Sequence, residues 1–165
     1  VTKNCSDSYS SSPPYSRELD ISDDGRVVAV GDYLYGGIEG YETGAATVFY
    51  FDGSVWKKRG ETVPGKDLFD RFGFGVSISS DGRILAAGSV SSGQGIRGYV
   101  AVYQWANASW VPLGQIVEPE SYYGVELGWS VSISADGRRF IAGDPSNDLK
   151  PGGLTGSARV FELTI

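Results

Sequence analysis

The sequence predicts an all-β protein built from three repeated units, each a small four-stranded antiparallel sheet. Three observations lead there. A ten-residue phrase occurs three times, as SDDGRVVAVG at residues 22–31, SSDGRILAAG at 79–88 and SADGRRFIAG at 134–143. A second block follows each copy: GAATVFYFDGSVW from Gly44, GYVAVYQWANASW from Gly98 and GSARVFEL from Gly156. The composition, with 24 glycines among 165 residues and neither Met nor His, suits short strands joined by tight turns. Self-similarity at a near-constant period marks a repeat architecture.

Each element follows from a local pattern. The first strand of a unit alternates, with Val76 and Ile78 on one face and Ser77 and Ser79 on the other. Asp-Gly follows at 24–25, 81–82 and 136–137, which predicts a two-residue hairpin turn. The second strand, RVVAVG or RILAAG, is a continuous apolar run, as expected when both faces are covered. The third, ATVFYF or VAVYQW, is bulkier and aromatic. The fourth carries Lys57, Lys58 and Arg59 in one unit and Pro112 in the next, residues that stop an outer strand from recruiting another chain. Such a unit is a propeller blade. The predicted organisation is an extended segment over residues 1–18, blades at 19–71 and 72–126, and an incomplete blade at 127–165.

The segments FGFGVSISSDGR and LGWSVSISADGRRFIAGDP resemble the FG-GAP-type repeats of integrin α-chain heads. They resemble still more the Asp-Gly-centred variant found in large secreted proteins of diatoms and other algae. Phe72-Gly73 and Leu127-Gly128 stand where the Phe-Gly of such repeats would be, and Gly143-Asp144-Pro145 stands where Gly-Ala-Pro would be. The resemblance spans residues 19–163 and implies a propeller that binds or scaffolds. Its calcium-binding members carry alternating Asp and Asn before the turn glycine. Here ISDDG, ISSDG and ISADG supply too few oxygen ligands, so calcium is not expected at these turns.

A propeller ring takes about four to eight blades, and three leave it open. Either further blades or associating copies would complete it, and the open blade faces are expected to sit against other protein. The net charge of −6 and pI near 4.6 repel a phosphate backbone, so no nucleic-acid partner is expected. No apolar stretch is long enough to enter a bilayer as a helix. Without His, and with Cys5 as the single thiol, neither a zinc site nor a Ser–His or Cys–His nucleophile is available. Asn4-Cys5-Ser6 and Asn107-Ala108-Ser109 read as glycosylation acceptors, which points to a secreted or cell-surface glycoprotein. Cys5 would then be a disulfide candidate whose partner thiol lies elsewhere.

The loops between second and third strands, at 32–43, 89–97 and 144–155, are the candidate binding loops. Tyr33, Tyr35 and Tyr41 with Glu42 can hold a sugar ring by stacking and hydrogen bonding; equally, the tyrosines can pack beneath neighbouring blades. Asp144, Asn147 and Asp148, with Ser146, can offer oxygens to calcium, or simply satisfy their own turn. Arg26, Arg83 and Arg138 recur after each Asp-Gly, either as a ring that grips an anion or as partners of nearby carboxylates. The leading expectation is a non-enzymatic extracellular or lumenal structural or protein-interaction module, one segment of a larger propeller assembly engaged in contacts such as cell adhesion. The alternative is a lectin-like module using the aromatic loops. A glycoside hydrolase, which needs two carboxyl groups at a defined separation, is a remoter third.

Overall fold

The computed structural model describes residues 16–36, 42–90, 97–119, 126–146 and 156–164, with side chains from Glu18 onward. Twelve strands and no helix occur among the described residues. The first antiparallel sheet runs β1 (Ser16–Ile21), β2 (Val27–Asp32), β3 (Ala45–Phe51), β4 (Trp56–Lys58), with β5 (Val63–Pro64) also on β3. The second runs β6 (Gly75–Ile78), β7 (Ile84–Ser89), β8 (Tyr99–Ala106), β9 (Ser109–Pro112). The third runs β10 (Ser130–Ile133), β11 (Arg139–Asp144), β12 (Ser157–Glu162). The protein is therefore an all-β partial propeller of three blades, the third holding three strands among the described residues.

The Asp-Gly corners depart from the expected two-residue turn. Gly25, Gly82 and Gly137 have φ of 69°, 67° and 70°, whereas the preceding aspartates are not left-handed. The Ser22 N–H donates to the Val27 carbonyl at 2.9 Å and the Gly25 N–H to the Ser22 carbonyl at 2.8 Å, enclosing a four-residue connection. Serine is the reason. Ser22 Oγ accepts the Val27 N–H at 2.9 Å and donates to Asp24 Oδ1 at 2.7 Å, which accepts the Arg26 N–H at 2.9 Å. Ser79 with Asp81 and Ser134 with Asp136 repeat the arrangement. The hydrogen bond from Ser22 is the main cause that holds the Asp24 carboxyl below its ordinary pKa. Local side-chain bonding selects the wider turn over the tight one.

Blades are joined edge by edge at their first strands. Asp20 Oδ2 on β1 accepts the Ser77 hydroxyl at 2.7 Å and the Ile78 N–H at 2.8 Å on β6. Ser77 Oγ in turn accepts the Ile133 N–H at 3.1 Å on β10. Asp20 and Ser77 occupy the same repeat position, so one polar residue per blade carries the same joint. The Asp23 N–H donates to the Ser80 carbonyl, and the Ser80 N–H to the Ala135 carbonyl, both at 3.1 Å.

Two apolar layers lie between the three sheets. Ala29, Ala46 and Val48 of the first blade meet Phe72, Val76, Ile78 and Leu85 of the second. Ile84, Ala86, Val100 and Val102 then meet Leu127, Val131, Phe140 and Ala142 of the third. This explains why β7 is buried at every position while β2 and β11 alternate: only the middle blade is covered on both faces. The outer strands carry the predicted Lys57, Lys58 and Pro112 at the sheet edges. The short β5 is an addition that the sequence pattern did not announce. The outer strand breaks at Gly60 (φ 79°) and the chain resumes along the start of β3.

Candidate functional site

In an antiparallel blade, the connection between second and third strands and the connection to the next blade leave from the same end. The loop face so formed collects the polar groups that the sheets position. Asp32, Ser89 and Asp144 are the last residues of β2, β7 and β11 and therefore equivalent. Ser89 is fully buried and its hydroxyl donates to the Asp70 carbonyl at 2.5 Å. Asp32 Oδ1 accepts the Leu34 N–H at 3.3 Å, and burial raises its pKa.

Asp144 is different. Only 1% of it is exposed; Oδ1 accepts the Glu126 N–H at 3.0 Å and the Ser146 N–H at 3.2 Å, while Oδ2 has no hydrogen-bond partner among the described residues. Ser146 Oγ donates to Glu126 Oε2 at 2.6 Å. Two carboxyl groups from separate loops are thus tied through one serine. Burial pushes the Asp144 carboxyl above its ordinary pKa, and the Glu126 charge pushes the same way, against Arg159. A buried carboxyl whose pKa is raised, beside a second carboxyl group, is the pairing that acid–base hydrolysis requires.

A second cluster braces the loop face between the first two blades. Asp70 Oδ2 accepts the Lys66 and Asp67 N–H groups and the Tyr99 hydroxyl, each at 2.8 Å. Its Oδ1 has no hydrogen-bond partner among the described residues, and burial raises the pKa of both Asp70 and Tyr99. Phe69 (φ 65°) and Arg71 (φ 53°) are left-handed non-glycine residues on either side of it, so the tight anchoring holds a strained turn. Arg71 Nε and Nη2 both donate to Glu42 Oε2 at 3.0 Å.

The residues selected from sequence are distributed as follows. The Tyr33 ring meets Phe74 edge-on at 5.4 Å, and Phe74 meets Trp129 at 4.7 Å, so Tyr33 joins an aromatic row across the blades. Tyr35 is partly exposed, and its carbonyl accepts the Gly44 N–H and the Thr43 hydroxyl. Glu42 is engaged by Arg71. Asn107 sits at the exposed tip of the β8–β9 hairpin, where it and Ala108 adopt φ of 52° and 60°. Tyr41, Asn147, Asp148, Asn4 and Cys5 lie outside the described residues. Of the three candidate calcium ligands, Asp144 alone is described, and no group of three or more acidic or thiol side chains able to hold a metal occurs among the described residues. Glu126 and Asp70 were not singled out from sequence. The available signal was position: Glu126 directly precedes Leu127-Gly128, as Arg71 precedes Phe72-Gly73. At the opposite end, a cleft of about 550 Å³ between the first two blades is lined by Arg26, Lys58, Arg59 and Trp105.

No protein-family model matches this sequence, and no curated relative does. Solved structures do resemble the fold. A periplasmic gluconolactonase of Pseudomonas aeruginosa superposes with a TM-score of 0.56 at 24% identity, over 81% of this chain and 37% of that one. Sqt1 of Saccharomyces cerevisiae gives 0.55 at 16% identity, over 90% and 32%. A hypothetical selenium-binding protein from Sulfolobus tokodaii gives 0.53 at 16% identity, over 78% and 32%. This chain spans about a third of the length of the structures it matches. The expectation of a non-enzymatic module, and with it the exclusion of catalysis, is corrected here: a protein of this architecture is named a gluconolactonase. The physical reason is that the stacked blades are a scaffold indifferent to chemistry, which resides in the loops they carry. What these likenesses establish is a β-propeller-type fold, of which the chain supplies three consecutive blades.

Proposed function

We propose that the chain contributes the loop face of a hydrolase acting on a sugar-derived lactone or ester. The observation that carries this is the Asp144–Ser146–Glu126 arrangement: a buried carboxyl with a raised pKa and one oxygen without a hydrogen-bond partner among the described residues, beside a second carboxyl group held by a serine hydroxyl at 2.6 Å. Glu126 takes a proton from water as its oxygen adds to the carbonyl carbon. Asp144 gives its proton to the ring oxygen as the carbonyl carbon–oxygen bond breaks, so the leaving alkoxide departs as an alcohol. The gluconolactonase likeness supports the substrate class; it supplies no residue role.

In this proposal the protein is exported, in keeping with the exposed Asn107-Ala108-Ser109 acceptor and with a similar structure named as periplasmic. Its repeats belong with the FG-GAP type, on the strength of Phe72-Gly73 and Leu127-Gly128. The test is proton release from gluconolactone in a pH-stat with the full chain. Asp144→Asn and Glu126→Gln should each lower the rate by about 100-fold. A rate no higher than that of buffer, or full activity in Asp144→Asn, overturns the assignment.

A further inference from the structure

We infer that the open side of the third blade is a preformed socket for the apolar–Gly hook that begins a following blade. The two joints already present define the fit. The Phe72-Gly73 segment of the second blade lies so close on the first that a Cβ at Gly31 would overlap the Gly73 carbonyl, and a Cβ at Gly44 would overlap the Phe72 backbone. Gly73, at φ 81°, lies against the Ala45 carbonyl. Leu127-Gly128 repeats this on the second blade. A Cβ at Gly98 would lie 2.5 Å from the Leu127 carbonyl oxygen, and one at Gly128 (φ 106°) 2.5 Å from the Tyr99 carbonyl oxygen. Each joint therefore needs glycine on both sides, because two backbones meet with no room for a side chain.

The third blade repeats the receiving half. Gly143, Gly156 and Ser157 stand where the first blade has Gly31, Gly44 and Ala45, and where the second has Gly88, Gly98 and Tyr99. With Trp129, Ser130 and the Asp144 of the proposed site they line an open cleft of about 430 Å³. The heavy atoms nearest to a Cβ at Gly156 would be those of its own blade's Asp144 and Pro145, at 3.4 Å, and a Cβ at Gly143 would meet the Ser130 hydroxyl of the same blade. The flank below the cleft continues the same interface, with Ile141 and Val160 beside the exposed Arg139–Glu162 ion pair. Ile141 and Val160 are 41% and 67% exposed, whereas their counterparts Ala86 and Val102 are 0% and 4% exposed under the third blade. Ser132, the counterpart of the joint residues Asp20 and Ser77, is exposed as well.

The occupant is a further repeat of this kind, opening with a bulky apolar residue and glycine. A second copy of this chain fits poorly. In sequence register with Phe72-Gly73 the chain has Tyr15-Ser16, and at a joint of the Gly73 kind any Cβ would fall on the facing carbonyl.

The test titrates the full chain with a labelled synthetic peptide of the sequence DRFGFGVSIS, residues 70–79, read by fluorescence anisotropy. Saturable binding is expected. It should be lost when the peptide carries Gly73→Ala, and weakened about tenfold by Ile141→Asp or Val160→Asp in the chain, exposed substitutions that leave the fold intact. No saturable binding, or equal binding of the Gly73→Ala peptide, overturns the inference. So does a closed dimer of the chain by light scattering, which would make a second copy the occupant.

Discussion

Replacing Ser77 by alanine tests whether the polar joint between first strands holds the blades together. The Ser77 hydroxyl donates to Asp20 at 2.7 Å and accepts the Ile133 N–H at 3.1 Å, and the residue is 5% exposed. Truncation removes two hydrogen bonds worth about 0.5–1.5 kcal/mol each and strands an N–H whose desolvation costs about 1–3 kcal/mol. These overlap, so a loss of about 3 kcal/mol is expected, which lowers Tm by about 6–12 °C in a chain of this size. Ser132 is the built-in control: the same residue at the same repeat position, with no blade beyond it among the described residues. Ser132→Ala should stay within about 0.5 kcal/mol of the parent. Thermal melts followed by circular dichroism, with a urea titration for the free energy, make the comparison. Equal shifts in the two variants would refute the reasoning, since the joint would then owe nothing to the neighbouring blade.

Three further outcomes are expected. Gly73→Ala forces a left-handed alanine onto the Ala45 carbonyl, and should cost about 3 kcal/mol or more in chemical denaturation, against about 1 kcal/mol for Gly25→Ala, where a Cβ meets nothing within 4 Å. Leu85→Ala, at a position with no exposure in the first apolar layer, should cost about 2–5 kcal/mol by the same measurement. The third outcome concerns pH. Burial raises the Asp144 pKa above its ordinary 3.8, so the protonated form is the one the fold prefers. Its contribution is complete below that ordinary value and is lost as pH rises through the folded value. Melting curves across pH should therefore show Asp144→Asn gaining on the parent as pH increases; parallel profiles would contradict this.

The repeats made the blades legible before any coordinates. Alternation at Val76–Ser79 marked a half-polar inner strand, the apolar run at 84–88 marked a strand covered on both faces, and lysine and proline marked the edges. These are consequences of backbone period and solvent contact, which are local properties. The turn type was missed because Ser22, Ser79 and Ser134 bond across five residues to the next strand, an effect the Asp-Gly pair alone does not show.

The candidate site was legible only in part. Asp144 stood out as an acidic loop residue, but Glu126 is 18 positions away and becomes its neighbour only when the β10–β11 hairpin folds the two loops onto one face. Side-chain type and spacing are thus written along the chain, and they determined the strands, the edges and the count of blades. Which carboxyl has its pKa raised, which glycines meet another backbone and which face is left uncovered among the described residues were decided by tertiary packing alone, because burial and close approach exist only between segments far apart in sequence.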